Sequence, residues 1–219
     1  MSSTAEDSAE AARGGLLERA ITFAHRHPWR WFAAYFVVTA VLYGLALFAP
    51  IYPPFVIEPT AIDRAIPLLP WTAWLYVTYF LLMPSYVALA RRHPERGRWL
   101  TAAGLVVLGN LTINILVPTE IAHSPRPEDV PGTLLSLILA SDAPRAAIPS
   151  GHLTLPLALA ILAGRARLPH AWIYIPWTVI IGVVILTTHQ HYFHDALGAL
   201  CWGTVGSLLA MRLCRPGRA

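Results

Sequence analysis

Residues 171–211 read AWIYIPWTVIIGVVILTTHQHYFHDALGALCWGTVGSLLAM. Two almost wholly apolar runs flank the polar stretch THQHYFHD, residues 188–195. Each run approaches the ~20 residues that cross a bilayer as a helix. Imidazoles and a carboxylate are costly beside hydrocarbon, so a polar stretch placed there carries a default expectation of function.

Working outward from this segment, the same pattern recurs. Apolar runs of spanning type cover about 31–50, 71–90, 99–118, 150–164, 171–188 and 195–213. The chain is 56% hydrophobic and 13% charged, against roughly 25% charged in a soluble domain. An all-α membrane protein is expected, a six-transmembrane-helix bundle formed by one domain over residues 26–215. The polar residues 1–25 are expected to form a mobile N-terminal tail or a short surface helix. They lack the early basic region and short apolar core of a cleaved leader.

There is no lysine, so all 16 basic residues are arginine. They cluster at Arg13–Arg30, Arg91–Arg98, Arg165–Arg167 and Arg212–Arg218. Positive charge marks the cytoplasmic side, which predicts cytoplasmic termini and outward-facing loops at 51–70, 119–149 and 189–194. The scatter of the arginines over four places argues against a nucleic-acid surface. The inner or plasma membrane is the expected location, with the polar loops on the extracytoplasmic face.

Helix counting then brings three polar motifs to one level: HSPRPED (123–129), AIPSGHLT (147–154) and HQHYFHDA (189–196). In the second, Ser150 is a favoured helix N-cap and Gly151 lets a ligand approach the backbone. A helix N-terminus attracts anions, phosphate among them, and His152 follows on the first turn. The bland reading is a capped helix with an interfacial histidine. In the third, His191 and Asp195 are four apart and share a face if they open the last helix. A carboxylate on one ring nitrogen leaves the other the better base or nucleophile. The bland reading places these groups at headgroup level. A metal reading takes His189, His191, His194 and Asp195 as ligands. The arginines and helix terminus favour an anion instead, so no metal and no cofactor is expected. In the first motif Arg126 stands between prolines, and guanidinium pairs with phosphate in a bidentate fork.

Taken together, Arg126-Pro127, Pro149-Ser150-Gly151-His152 and His191-x-x-x-Asp195 resemble the type 2 phosphatidic acid phosphatase superfamily, in a divergent branch near inositol phosphorylceramide synthase-like members. The family pattern places a lysine seven residues before the motif-one arginine, and Thr119 stands there. It places Ser-Arg before the third motif, and Val184-Ile185 stand there. His189 and Arg145 are the candidate replacements.

The resemblance implies a metal-independent enzyme with a phosphohistidine intermediate. It makes His191 the nucleophile, Asp195 its orienting partner and His152 the proton carrier. Arg126, Ser150, Gly151 and His189 become the phosphate-binding set. The expected substrate is a lipid phosphate of the phosphatidic acid, phosphatidylglycerol phosphate or polyprenyl phosphate type, reached from the bilayer. The alternatives are a phosphotransferase that uses a lipid alcohol in place of water, and a non-catalytic lipid binder or carrier.

Overall fold

The structure is a computed structural model that describes residues 15–141 and 143–215. Residues 1–14 of the expected tail, with Arg13, lie outside the described residues, as do Asp142 and Arg218. The described chain is mostly helical. In order it forms α1 (Leu16–Arg26), α2 (Pro28–Phe48), strand β1 (Phe55–Ile57), the short α3 (Ala61–Ala65) and α4 (Pro70–Ala90). Then follow α5 (Arg96–Leu116), β2 (Thr119–Ile121), α6 (Leu134–Ser141), α7 (Gly151–Arg165), α8 (Ala171–Thr187) and α9 (Phe193–Leu213).

Four of these, α2, α4, α5 and α9, have 21 residues each and are apolar enough to cross a membrane. Such a helix is about 30 Å long, the thickness of the hydrocarbon layer. α7 and α8 are shorter apolar helices. Proline punctuates the ends: Pro28 opens α2, while Pro50 and Pro118 follow closely on α2 and α5.

The bundle is built around α5 and α7. α5 packs on α1, α2, α7 and α9, and α7 packs on α8, α9 and α4. The core between them holds Leu82, Tyr86, Leu100, Leu159 and Leu162, all fully buried. Polar ties cross the bundle. The Thr154 hydroxyl donates to Asn110 Oδ1 at 2.7 Å, and Trp202 Nε1 donates to the Val106 carbonyl at 2.9 Å. Helices approach most closely where side chains vanish. A Cβ at Gly109 would collide with the Trp202 ring.

Over residues 16–25 the helix α1 stands in place of the expected mobile tail, as the helical alternative allowed, and it packs into the bundle. Its Leu17, Ile21 and Ala24 recur at helical spacing and pack against the core. The Ile21 carbonyl fits where Gly97 has no side chain, and Arg96 Nε donates to the His25 carbonyl at 2.7 Å. Composition alone made this segment read as polar; its periodicity makes it part of the bundle.

α4 is irregular. Its Val77–Leu81 stretch is a 3₁₀ turn between two α-helical pieces. Pro84 lies just beyond and has no N–H to offer the Phe80 carbonyl, which loosens the α pattern ahead of it. The 3₁₀ turn has three residues per turn, so Tyr76 and Tyr79 fall on one side.

The all-α expectation is amended by a small parallel ladder. Phe55, Val56 and Ile57 pair with Thr119, Glu120 and Ile121. Residues 143–145 join it, through Ile121 N–H to the Pro144 carbonyl at 2.9 Å and an antiparallel bridge between Glu120 and Arg145. Strands of three residues are too short for alternation to show in a sequence.

Candidate active site

α8 ends at Thr187, and His189 adopts a left-handed backbone, φ 52°. This reversal turns the chain back toward α9. α9 starts at Phe193 with Asp195 in its third position. Asp195 Oδ2 accepts the Tyr192 N–H at 2.8 Å and His191 Nδ1–H at 3.2 Å. His191 therefore precedes the helix, and a capping turn rather than a helical face brings it to Asp195. Asp195 is fully buried and His191 nearly so.

The second motif opens α7 beside it. The Ser150 N–H donates to the Asp195 carbonyl at 3.3 Å, and His152 Nδ1 lies 3.4 Å from His191 Nε2. Three sequence-selected groups, His152, His191 and Asp195, are thus in one line. His152 is also held from the other side. Its Nε2 is 2.7 Å from the Tyr76 hydroxyl, and its ring lies 4.7 Å from the rings of both Tyr76 and Tyr79.

His152, His191 and Gly151 line a cavity of about 920 Å³. Phe32, Tyr35, Phe36, Thr39, Ala40 and Tyr43 form its α2 wall. They lie on one helical face and span about 16 Å along the axis. The 120–127 segment and residues 143–146 form a polar end of the cavity, beside the C-terminal turn of α2. Three distant sequence motifs therefore meet around one space.

The remaining selected residues separate. Gly151 is on the wall, and an added Cβ would meet only Asn110 Nδ2 at 3.6 Å, so packing does not demand glycine there. Arg126 lines the cavity from an exposed position, with Glu128 4.0 Å away. Ser150 is the N-cap of α7, but its hydroxyl makes no cap bond and has no partner among the described residues. It is buried and does not reach the wall. His189 does not reach the wall either: its Nε2 lies 3.1 Å from the Ile66 carbonyl. The left-handed turn carries this ring to the Ile66 carbonyl, so it supplies no cation to the cavity wall.

Arg145 does line the cavity, with Nε 3.0 Å from Glu120 Oε2 and Nη1 3.0 Å from the Leu47 carbonyl. Thr119, at the family lysine position, is buried. Its hydroxyl accepts the N–H groups of Ala147 and Ile148, each at 3.0 Å. Val184 and Ile185 are buried in α8. Among the described residues, no group of three or more His, Cys, Asp or Glu is placed to hold a metal ion, so the four-ligand set around His189 and His194 does not converge.

Sequence reasoning missed several supporting groups. Asn110 Nδ2 donates to the Pro149 carbonyl at 3.1 Å, and Asn114 Nδ2 to the same oxygen at 3.5 Å. Two amides four apart in an apolar run were a usable signal. Asp63 Oδ1 accepts the Phe193 N–H at 2.7 Å, while Oδ2 accepts the Thr60 hydroxyl and N–H at 2.6 and 2.8 Å. Burial pushes the Asp63 carboxyl up. The hydrogen bonds from Thr60 and Phe193 and the nearby His194 outweigh it and hold Asp63 below the ordinary carboxylate value. Tyr76 carried no signal beyond an aromatic residue in an apolar run.

Chemically, the arrangement offers a buried imidazole oriented by a carboxylate, a second imidazole within proton reach, and guanidinium groups on the wall of a long apolar cavity. Compared with family models, with curated proteins and with solved structures, the chain finds no match in any of the three.

Proposed function

We propose that the protein is a six-span membrane lipid phosphatase that works through a phosphohistidine. The observation that carries the reading is the line Asp195–His191–His152 at the wall of a cavity that runs along α2. Asp195 takes the Nδ1–H of His191 and leaves Nε2 as the nucleophile. Nε2 attacks phosphorus, the bond to the lipid alcohol breaks, and His152 gives the departing oxygen its proton. Water then attacks the phosphohistidine while His152 takes the proton back. Arg126, Arg145 and the Gly151 backbone bear the charge on the non-bridging oxygens. This departs from the sequence-based set, since Ser150 and His189 do not line the cavity.

The apolar wall suits a hydrocarbon chain that enters from the bilayer, with the phosphate at the polar end. The α7 and α8 helices complete the span count. Topology follows from charge. Arg96 meets the His25 carbonyl, gathering the basic segments at 19–30 and 91–98 at one end of the bundle, which is assigned to the cytoplasm. The site then faces the extracytoplasmic side. The motif order resembles the type 2 phosphatidic acid phosphatase superfamily and agrees with this reading.

A transferase of the same mechanism is the second reading. The observation that favours it is the cavity's size, near the top of the roughly 300–1,000 Å³ range of ligand sites. Such a space admits an alcohol acceptor beside the donor.

The test is phosphate release from a panel of lipid phosphates by purified protein in detergent with chelator, beside His191→Ala. Release that vanishes in the variant is expected. Undiminished release from His191→Ala would sink the assignment. Turnover only with an added lipid alcohol would select the transferase.

A further inference from the structure

We infer that Tyr76 is a positioning residue that fixes the tautomer of His152 and serves as its proton reservoir. The inference rests on the phosphohistidine reading above. Its basis is the direction in which four groups must donate.

Asp195 is an acceptor only, so His191 Nδ1 carries a proton and donates to Oδ2 at 3.2 Å. In a neutral ring Nε2 is then bare. The 3.4 Å approach of His152 Nδ1 to that bare nitrogen makes Nδ1 the protonated atom of His152. His152 Nε2 is left as an acceptor, and the Tyr76 hydroxyl, 2.7 Å away, donates to it in preference to Gln190 Oε1 at 3.4 Å. The chain therefore runs one way, from Tyr76 to His152 to His191 to Asp195. The tautomers follow from which groups in the chain can only accept.

The arrangement meets a specific need. A neutral His152 that gives up its Nδ1 proton becomes imidazolate unless Nε2 is protonated in the same event. The ring is packed between the tilted rings of Tyr76 and Tyr79, and among the described residues no carboxylate is recorded against it to pair with an imidazolium. Tyr76 supplies the missing proton.

In the first step the His191 Nε2 lone pair forms the bond to phosphorus and the bond from phosphorus to the alcohol oxygen breaks. The His152 Nδ1 proton passes to that oxygen, and the Tyr76 proton passes to His152 Nε2, leaving a tyrosinate. The positive ring of the phosphohistidine, held against Asp195, offsets that charge. In the second step a water oxygen attacks phosphorus and the phosphorus–nitrogen electrons return to His191 Nε2. The water proton goes to His152 Nδ1, and the Nε2 proton returns to Tyr76.

Tyr76 ends the α-helical piece Ala73–Tyr76 and Tyr79 follows three residues on in the 3₁₀ turn, so both rings face His152. Only Tyr76 brings its hydroxyl to a ring nitrogen of His152 among the contacts described. Tyr79→Phe is therefore the natural control.

The experiment measures formation of acid-labile phosphoenzyme by rapid quench, using the full-length protein in detergent. Two substrates are compared: a long-chain alkyl phosphate, whose alcohol must be protonated to leave, and a long-chain nitrophenyl phosphate, whose phenolate leaves without a proton. Tyr76→Phe is expected to slow the alkyl substrate about 100-fold, the lower end for general acid catalysis. It should leave the aryl substrate within a few-fold of wild type. Tyr79→Phe should not change the ratio. Tyr76→Gln keeps a donor but cannot cede a proton, so it should show the same selective loss. It also serves as the second variant should Tyr76→Phe not fold.

Equal losses on both substrates, or no loss on either, overturn the inference and leave the phosphohistidine reading standing. A wild-type protein that forms no phosphoenzyme, or a His191→Ala protein that still does, removes that reading and this inference together.

Discussion

Asp63 Oδ1 accepts the backbone N–H of Phe193 at 2.7 Å, across 130 residues of chain. This bond ties the segment after α2 to the first turn of α9, two residues before Asp195. Neighbouring contacts reinforce it: Leu69 N–H donates to the Thr187 carbonyl at 2.7 Å, and the Thr72 and Thr187 hydroxyls are 3.1 Å apart. Residues 60–72 thus brace the turn that carries His191 from outside, and Tyr76 meets it through His152 from within.

Removing the brace should loosen the site. Asp63→Ala deletes a helix-capping acceptor, which costs about 1 kcal/mol. The two backbone N–H groups of Thr60 and Phe193 also lose their partner. A lower thermal midpoint in detergent is expected, with turnover falling more than substrate affinity. Asp63→Asn keeps one oxygen and should lose less. An Asp63→Ala protein with wild-type midpoint and turnover would show the brace to be idle.

The same carboxylate sets a pH dependence with a defined sign. Asp63 is held below its ordinary value of 3.8 in the fold. Its contribution is therefore fully present above 3.8 and is lost as pH falls through the lower folded value. Wild type should be more stable than Asp63→Asn at pH 6, and the difference should shrink in acid below pH 4. Thermal unfolding of both proteins across this window measures it. A gap that widened in acid would contradict the assignment.

Asp195 makes a sharper prediction for activity. Its Oδ2 is shared by the Tyr192 N–H and His191 Nδ1. An asparagine amide serves both only through its single oxygen, and a flipped amide would turn a donor toward His191. The wrong tautomer then leaves Nε2 protonated and without a lone pair. Asp195→Asn should lose on the order of 10³–10⁴-fold in turnover, the scale seen when a triad carboxylate is neutralised. Its fold should persist, as read by thermal midpoint. A loss below tenfold would remove Asp195 from the orienting role.

Thr119 stands where the resembled motif pattern has a lysine. On sequence alone Thr119→Lys looks like a gain of phosphate affinity. The structure gives the opposite expectation. The Thr119 hydroxyl accepts two backbone N–H groups of the 147–148 segment, just ahead of Gly151. A lysine has no acceptor, and a buried N–H left without a partner costs about 1–3 kcal/mol. Thr119→Lys and Thr119→Val should both lower the midpoint and the activity. A Thr119→Lys protein more active than wild type would mean that this turn is not held through Thr119.

These residues show what a sequence reading reaches. The long helices were legible because runs of about 20 apolar residues have few other uses. The convergence of His152, His191 and Asp195 was legible because alternate apolar helices return the chain to the same end of the bundle. Where residues leave regular structure, legibility stops. His189 was read as a cavity cation, but its left-handed backbone aims it at the Ile66 carbonyl. Ser150 was read as a cap, but its amide, not its hydroxyl, meets Asp195. α1 was hidden by polar composition although its apolar positions keep helical spacing. Tyr76 was hidden because an aromatic residue in an apolar run carries no sign that its hydroxyl will meet a histidine 76 residues further on. Asp63 had a readable signature, Thr60-x-x-Asp63, but nothing in it revealed that the free oxygen would cap a helix beginning at Phe193.

The two asparagines of α5 give the last prediction, because they differ in one respect. Both donate to the Pro149 carbonyl, Asn110 at 3.1 Å and Asn114 at 3.5 Å. Asn110 also accepts the Thr154 hydroxyl, so both ends of its amide are engaged. Asn114 Oδ1 has no partner among the described residues. Asn110→Leu therefore strands a buried hydroxyl and weakens the hold on Pro149, at about 1–3 kcal/mol. Asn114→Leu removes a long bond together with an unsatisfied oxygen, and such exchanges are near neutral. The thermal midpoint should fall clearly in Asn110→Leu and little in Asn114→Leu. Activity should follow the same order, because Pro149 fixes where Gly151 and His152 begin α7. The reverse order would mean that Asn114, not Asn110, holds the turn.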